Sequence, residues 1–426
     1  MNPAPGAATA IRSVDGALWM EGVALEALAQ RFGTPLYVYS RAELTQRAAA
    51  FHAALAPAPG SLVCYAVKAN PSLAVLQVLA GAGCGFDIVS GGELHRVLRA
   101  GGDPRRVVFS GVAKSAADIR AALDAGILCF NVESGAELER LSAIAAAGGE
   151  RAPVSIRVNP DVDARSHPYI STGLSENKFG VPMEDARALY RRALTLPGVR
   201  PSGIDWHIGS QLTSLAPFAD ALARVLGLVD SLAAEGIALE HIDVGGGLGV
   251  NYRDESPPTP AEYVRVLREG LGGRGLRLIT EPGRAIAASA GVLLTRVEYL
   301  KHNGGRGFAI VDAGMNDLLR PALYEAWMPI LPVRPRPQAG ARLWDVVGPV
   351  CESACFLGKG RELSLEAGDL LAVGAAGAYA SSMSSNYNSR CRSAEVMVDG
   401  GSAFLVRERE RVEDLLRGER LLPAGA

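Results

Sequence analysis

The chain has 426 residues, of which 48% are hydrophobic and 21% are charged, a composition typical of a folded protein with a large core. Its 43 basic and 45 acidic residues nearly cancel, which disfavours a nucleic-acid partner. The sequence shows neither an apolar run of roughly 18 residues nor a signal-peptide pattern. We therefore expect a cytoplasmic protein with a small-molecule partner and no role in membranes.

The number and spacing of the cysteines and lysines limit the kinds of site that the sequence can form. The six cysteines are scattered with no CxxC spacing, so we expect neither a disulfide framework nor a metal site. Only five of the 43 basic residues are lysines. If the reaction needs an amine nucleophile, the candidates are Lys68, Lys114, Lys178, Lys301 and Lys359.

Short apolar runs rich in β-formers alternate with longer segments of helical period from about residue 60 to 290, which is typical of repeated βα units. Strands are predicted at 61–67, 86–89, 106–110, 127–131, 153–158, 203–207, 241–244 and 277–280. Helices are predicted between them, for example over 92–100, 116–125, 136–147, 184–195 and 218–234. This pattern predicts an α/β fold with a closed (β/α)8 TIM-type barrel over 40–289, with an open doubly wound sheet as the alternative.

The sequence pattern changes after about residue 290. Apolar β-rich pieces such as GFAIVDAG and AEVMVDG are joined there by turns rich in Pro, Gly and Asn, with little helical period. These pieces predict a C-terminal antiparallel β domain. The short runs GALWM and PLYVYS suggest that the N-terminal segment joins it, which gives a second domain of residues 1–39 and 290–426.

Polar residues and glycines gather where the predicted barrel strands end. Lys68 follows the first strand and Asp87 lies in the second, whereas His207 ends the sixth. Gly245 to Gly247 follow the seventh strand, and Glu281 follows the eighth. Since a barrel carries its active site at the carboxyl ends of its strands, we expect these groups to surround one mouth.

Lys68 ends the apolar strand of YAVKAN. A partly desolvated ammonium there would have a lowered pKa and could attack an aldehyde. An ordinary lysine that reaches water from a strand end is the alternative.

Three further motifs would suit a flat, phosphorylated cofactor. The loop DVGGGLG, residues 243–249, offers backbone N–H groups to a phosphate, although a simple turn explains it equally well. In EPGR, Glu281 could face a protonated ring nitrogen while Arg284 holds an anion. In HIGSQ, His207 could stack on the ring and Ser210 could donate to a phosphate. A surface ion pair and a core histidine are the alternatives for the last two motifs.

The ordered set of motifs resembles the fold type III pyridoxal-phosphate decarboxylases. The motifs are YAVKAN, FDIVSGGEL, HPYISTG with NKFG, HIGSQ, DVGGGLG, EPGR, RPALYEAW, GPVCES and GAYASSMSSNYNSR. The resemblance extends from about Gly33 to Val398. It implies pyridoxal 5'-phosphate as cofactor and decarboxylation of meso-2,6-diaminopimelate to L-lysine and carbon dioxide, the last step of lysine biosynthesis. The alternatives are a decarboxylase of ornithine, arginine or a carboxynorspermidine-like substrate, and a non-catalytic carrier of the cofactor.

The resemblance also assigns roles in the barrel. Lys68 would bond covalently to the cofactor, His207 would stack on its ring, and Glu281 would pair with the ring nitrogen. Alanine racemase, a relative with the same barrel, has an arginine in the position of Glu281, so this carboxylate favours decarboxylation over racemisation. The other residues implied in cofactor binding are Asp87, Ser210, Gly246, Gly247, Gly283, Arg284 and Tyr379.

The β domain would supply substrate and dimer contacts. Cys351 and Glu352 of GPVCES resemble a pair that reaches into the neighbouring subunit's active site, where the cysteine donates a proton and the glutamate binds the distal amino group. The resemblance therefore implies a homodimer with shared active sites. The distal carboxylate of the amino-acid substrate would be bound through charge-assisted hydrogen bonds. The residues implied there are Arg284, Arg320 and Tyr324, with Tyr379 nearby.

The chain departs from the family pattern at two places. Ala354 and Cys355 follow GPVCES where the family usually has Gly-Asp. Cys391, Arg392 and Ser393 follow NYNSR, where the family usually has a proline-rich segment. Both departures lie beside the expected site, so they bear on substrate preference and on loop rigidity.

Overall fold

The computed structural model describes residues 10–163, 177–336 and 340–423. The HPYISTG motif, residues 167–173, lies outside the described residues. The strands are β1 Ile11–Val14, β2 Ala17–Met20, β3 Val23–Ala24, β4 Leu36–Ser40, β5 Leu62–Ala66, β6 Gly85–Ile88, β7 Val107–Phe109, β8 Cys129–Val132, β9 Ala152–Asn159, β10 Val181–Pro182, β11 Val199–Asp205, β12 His241–Asp243, β13 Arg277–Thr280, β14 Gly291–Asn303, β15 Arg306–Val311, β16 Ile330–Pro332, β17 Arg342–Val347, β18 Phe356–Leu363, β19 Leu370–Val373, β20 Ala394–Asp399 and β21 Ser402–Arg407. The helices are α1 Leu25–Phe32, α2 Arg41–Leu55, α3 Leu73–Gly81, α4 Gly91–Arg99, α5 Ala116–Ala125, α6 Gly135–Ala147, α7 Met183–Thr195, α8 Ala216–Ala234, α9 Pro260–Leu271, α10 Arg284–Ala287, α11 Arg320–Tyr324 and α12 Val412–Leu415.

The chain divides into two compact units, Glu43–Ala288 and Met1–Ala42 with Ser289–Ala426. In the first unit, eight parallel strands follow the order β9-β11-β12-β13-β5-β6-β7-β8, and a β8–β9 pairing closes the ring. This closure confirms the TIM-type barrel and excludes the open sheet. Each of the eight predicted strands is present, and β13 has the predicted bounds.

Serine and threonine side chains begin several of the barrel helices. The hydroxyls of Ser90, Ser115, Ser134 and Thr259 accept hydrogen bonds from the backbone N–H groups of the third helical residues of α4, α5, α6 and α9. Such caps satisfy donors that a helix cannot pair within itself. They fix where each helix starts after its strand, and hence the length of the loops at the carboxyl ends.

The barrel interior is layered because alternate residues of each strand face inward. Cys64, Val108, Cys129 and Ile279 form one apolar cluster. The next inward residues along the strands are polar and buried. They are Asp87, Ser110, Asn131, Arg157, Asp205, Asp243 and Glu281. Buried polar groups of this kind need partners or ligands, which marks this layer as the base of a site.

The second unit contains a mixed sheet with the strand order β18-β17-β15-β14-β4-β20-β21, with β19 on β14 and β16 on β19. Most pairings are antiparallel, as the sequence predicts, but β15–β17 and β20–β4 are parallel. Strand β4 comes from the N-terminal segment and lies between β14 and β20. Apolar residues of β4, β14 and β20, including Val38, Val292 and Val396, share one core cluster. Within the described ranges, no helix combines the length and apolar character needed to cross a bilayer.

Candidate active site

Lys68 and Asp87 form an ion pair at the carboxyl ends of neighbouring strands. Lys68 lies in the single 3-10 turn after β5, and its Nζ donates to Asp87 Oδ2 on β6. The Lys68 side chain is 39% exposed, whereas Asp87 is fully buried. The sequence suggests an ammonium set among apolar atoms, but the structure gives it a carboxylate partner. Asp87 therefore holds the amine in place by charge as well as by packing.

Glu281 lies in a buried group of carboxylates. Its backbone N–H donates to the Gly245 carbonyl oxygen at 2.7 Å. Side-chain oxygens of Asp205, Asp243 and Glu281 all lie within 4.8 Å of one another. Three buried carboxyls this close together repel one another when ionised, so their negative charge must be offset.

Protons and one guanidinium offset the negative charge of this group. Burial, reinforced by the charges of Asp243 and Asp87, raises the pKa of Glu281 well above its usual range. Burial also raises the pKa of Asp243 to about 6. Arg157 on β9 contacts Asp205, with Nε 3.7 Å from Oδ2, and donates to Glu133 at 2.9 Å. A carboxyl that keeps its proton near neutral pH can share it with a basic ring nitrogen.

His207 contacts the glycine loop after β12. The Gly246 N–H donates to His207 Nδ1 at 3.2 Å, so this ring nitrogen acts as an acceptor. Burial, helped by the charge of Arg157, lowers the pKa of His207 well below its usual range. The imidazole is therefore neutral at physiological pH, and it presents a flat ring.

The glycine loop leaves no room for side chains. A Cβ on Gly246 would lie 2.3 Å from the Glu281 carbonyl oxygen, and one on Gly247 would lie 2.5 Å from the Gly209 carbonyl oxygen. Gly247 also has φ of +107°, a conformation that favours glycine. The loop is therefore a backbone surface on which a phosphate could lie.

Arg284 begins α10 and contributes a buried cation close to this loop. Its guanidinium donates to Ser210 Oγ at 2.9 Å and to the Tyr252 hydroxyl at 2.7 Å. A Cβ on the preceding Gly283 would lie 3.0 Å from the Ala69 Cβ, so close packing requires glycine there. A buried guanidinium beside hydroxyl and backbone donors suits an anion.

The second unit carries the remaining predicted residues. Arg320 begins α11, is buried, and its guanidinium lies 5.6 Å from the centre of the Tyr324 ring. Cys351 and Glu352 are exposed on the loop between β17 and β18. Tyr379 has φ of +54°, which is uncommon for a bulky residue. The structure thus brings Arg320 and Tyr324 together and places Cys351 beside Glu352.

The barrel residues fit pyridoxal 5'-phosphate. Glu281 Oε1 is buried and has no hydrogen-bond partner within the described part of the chain. Such an atom suits a cofactor donor, because a buried acceptor without a partner is costly. The glycine loop with Ser210 and Arg284 suits the phosphate, and the lysine amine suits the aldehyde.

A family model described as "Pyridoxal-dependent decarboxylase, pyridoxal binding domain" matches residues 41–288. The diaminopimelate decarboxylase of Pseudomonas aeruginosa is 62% identical over 409 residues, which cover 96% of this chain and 98% of that protein. This chain belongs to the diaminopimelate decarboxylase family. The resemblance seen in the sequence and the pyridoxal-dependent chemistry are thereby confirmed.

Solved structures of diaminopimelate decarboxylases share the fold. The Helicobacter pylori protein complexed with L-lysine has a TM-score of 0.89 at 44% identity, with 92% of this chain and 98% of that chain covered. The protein from M. jannaschii in co-complex with L-lysine has a TM-score of 0.92 at 36% identity, with 97% and 98% covered. The match therefore includes both compact units.

Sequence reasoning missed four residues of the barrel site. Asp205, Asp243 and Arg157 adjoin Glu281 or its neighbours, and Tyr252 contacts Arg284. The alternation of side chains along each strand could have identified three of them. Asp205, Asp243 and Arg157 lie at inward-facing positions of β11, β12 and β9. Tyr252 lies in the loop shortly after DVGGGLG and had no such signal.

The two departures from the family pattern have structural partners here. The Cys355 sulfur is buried and accepts a hydrogen bond from the Met315 N–H at 3.4 Å. Ser393 Oγ donates to Asp317 at 2.7 Å, and Arg392 forms an ion pair with Glu410 at 3.1 Å. These contacts stabilise the loops within the second unit.

Proposed function

We propose that this chain decarboxylates meso-2,6-diaminopimelate to L-lysine and carbon dioxide with pyridoxal 5'-phosphate. The buried Glu281 carboxyl at the carboxyl end of β13 is the observation that carries the proposal. Bound pyridoxal phosphate supplies a protonated ring that takes up the electron pair left by departing carbon dioxide. Glu281 keeps a proton available at the ring nitrogen, because burial raises the pKa of its carboxyl.

The barrel residues have separate tasks in this proposal. Lys68 supplies the amine that attaches the cofactor, and Asp87 fixes that amine through the ion pair. Neutral His207 covers one face of the ring. The phosphate is held by Ser210, Gly246, Gly247, Gly283 and Arg284.

The second unit recognises the far end of the substrate in this proposal. Arg320 and Tyr324 bind the distal carboxylate, because a buried guanidinium matches a carboxylate in charge and in geometry. Glu352 binds the distal ammonium, and Cys351 returns a proton to the reacting carbon. Tyr379 is assigned to cofactor and substrate binding, as the family resemblance implies. Each of these roles is supported by residue type and by the family to which the chain belongs.

The test is release of labelled carbon dioxide from diaminopimelate, ornithine, arginine and lysine by the purified protein supplied with pyridoxal phosphate. Turnover of diaminopimelate, with little on the other three, is the expected result. Preference for ornithine or lysine would instead assign a basic amino-acid decarboxylase, since a substrate without a distal carboxylate has no use for Arg320. A protein that binds the cofactor but releases no carbon dioxide would be a carrier.

We further propose a cytoplasmic homodimer in which Cys351 and Glu352 complete the partner's site. The exposure of both residues in the single chain supports this arrangement. Specific activity should then fall on dilution as dimers dissociate. A monomer with full activity, shown by sedimentation at assay concentration, would contradict the shared site.

A further inference from the structure

The loop that carries Cys351 and Glu352 is fixed by its own backbone hydrogen bonds. Glu352 N–H donates to the Val350 carbonyl oxygen at 2.8 Å, and Cys355 N–H donates to the Glu352 carbonyl oxygen at 2.9 Å. Gly348 N–H in turn donates to the Cys355 carbonyl oxygen at 2.9 Å. These bonds define the backbone of the loop. They leave the torsions of the exposed Glu352 side chain undetermined.

The segment that contains Tyr387 and Asn388 restrains the Glu352 side chain. The Tyr387 hydroxyl donates to Glu352 Oε1. At the next residue, Asn388 Oδ1 accepts the Cys351 N–H at 2.9 Å. Two successive side chains thus contact the two successive residues to which the proposed function gives catalytic and binding tasks.

The backbone beneath these contacts is unusual. Asn388 and Ser389 have φ of +56° and +53°, in the left-handed region that residues other than glycine seldom adopt. The segment is also anchored, because the Asn386 side-chain amide and the Arg392 backbone N–H both donate to Glu410, at 2.7 and 2.8 Å. A strained conformation held by such anchors is expected where it positions functional groups.

We propose that Tyr387 is a positioning residue that determines specificity for the distal amino group of the substrate. Its hydroxyl binds Oε1 of Glu352 and orients the carboxylate so that Oε2 faces the substrate ammonium. A glutamate oriented in advance binds more tightly, because less side-chain freedom is lost when the ligand arrives. The inference rests on the proposed role of Glu352.

The carboxylate also keeps the tyrosine in its donor form. The hydrogen bond to Glu352 raises the pKa of Tyr387 above its ordinary value. The hydroxyl therefore stays protonated at neutral pH. A phenylalanine in its place removes the donor and retains the ring.

The test compares Tyr387→Phe, Glu352→Gln and the double variant, each as the holoenzyme, on meso-2,6-diaminopimelate. Tyr299, which is 68% exposed in β14, provides Tyr299→Phe as the matched control. We expect Tyr387→Phe to raise KM by about 5- to 30-fold with kcat nearly unchanged, as loss of a partly exposed hydrogen bond to a charged group predicts. Affinity for L-lysine, measured by calorimetry, should weaken by a similar factor, because lysine retains the distal amino group.

The double variant distinguishes positioning from an independent effect. If Tyr387 acts through Glu352, adding Tyr387→Phe to Glu352→Gln should raise KM no further. Three outcomes would overturn the inference: KM effects of the two substitutions that multiply in the double variant, an unchanged KM in Tyr387→Phe, or an equal rise of KM in Tyr299→Phe. If the wild-type protein itself fails to decarboxylate diaminopimelate, the proposed function fails, whatever the variants do.

Discussion

Replacing Gly246 by alanine tests the geometry of the cofactor loop. The new Cβ would lie 2.3 Å from the Glu281 carbonyl oxygen and 3.2 Å from its carbonyl carbon. Since an ordinary van der Waals contact of a Cβ is 3.4–4 Å, the loop or the Glu281 backbone must move by about 1 Å. Overpacking of this kind costs about 1–3 kcal/mol of unfolding free energy. The Gly246 N–H would also lose its alignment with His207.

We therefore expect Gly246→Ala to weaken pyridoxal-phosphate binding by about tenfold or more, because a shift of about 1 Å at a preorganised site is costly. Titration of the apoprotein, followed by visible absorbance, measures the affinity, and urea denaturation measures the stability. Gly227 offers a matched control: it is exposed in helix α8 and nothing lies within 4 Å of its Cβ position. Gly227→Ala should stabilise the protein by up to about 1 kcal/mol and leave cofactor affinity unchanged. If Gly246→Ala binds and unfolds like the wild type, the close approach described here is wrong.

Three further predictions concern single side chains. Lys68→Ala should abolish the visible absorbance of the bound cofactor, and a retained band would show that another amine is attached. Cys351→Ala should keep that band but reduce kcat by about 10² to 10⁴-fold, as expected for one acid or base group; an unchanged kcat would assign the proton donor elsewhere. Burial raises the pKa of Asp243 from 3.8 to about 6, so its contribution to stability is present at low pH and is lost as pH rises from about 4 to about 6. Asp243→Asn should reduce this loss of apoprotein stability with rising pH, measured by urea denaturation between pH 4 and 7, and an unaltered slope would contradict the raised pKa.

Much of the barrel could be predicted because its strands and helices differ in hydrophobic period. Strand β13 and helix α5 have the predicted bounds, since apolar run length and the Ser115 cap define them locally. In the second unit the parallel β15–β17 and β20–β4 pairings were not predictable. Neighbouring strands in sequence need not pair in space, and no local pattern specifies their direction.

The candidate site also contains some residues that the sequence identifies and some contacts that it does not. Lys68, His207 and Glu281 could be identified because each lies at the end of a predicted strand or directly after it, and the strand ends of a barrel converge. The ion pair of Lys68 with Asp87 depends on the β5–β6 register. A shift of one residue would turn the Asp87 side chain away from the barrel interior.

The sequence by itself determined the alternation of strands and helices and the residue types that follow the strands, because these depend on periodicity and on short motifs. Only the tertiary structure decided that the sheet closes into a barrel through the β8–β9 pairing. It also decided that Asp205 and Asp243 join Glu281, that Tyr252 contacts Arg284, and that Tyr387 contacts Glu352. The physical reason is that a pKa or a hydrogen bond depends on distances between groups far apart in the chain. Those distances are fixed only when strands pair in register and loops close around them.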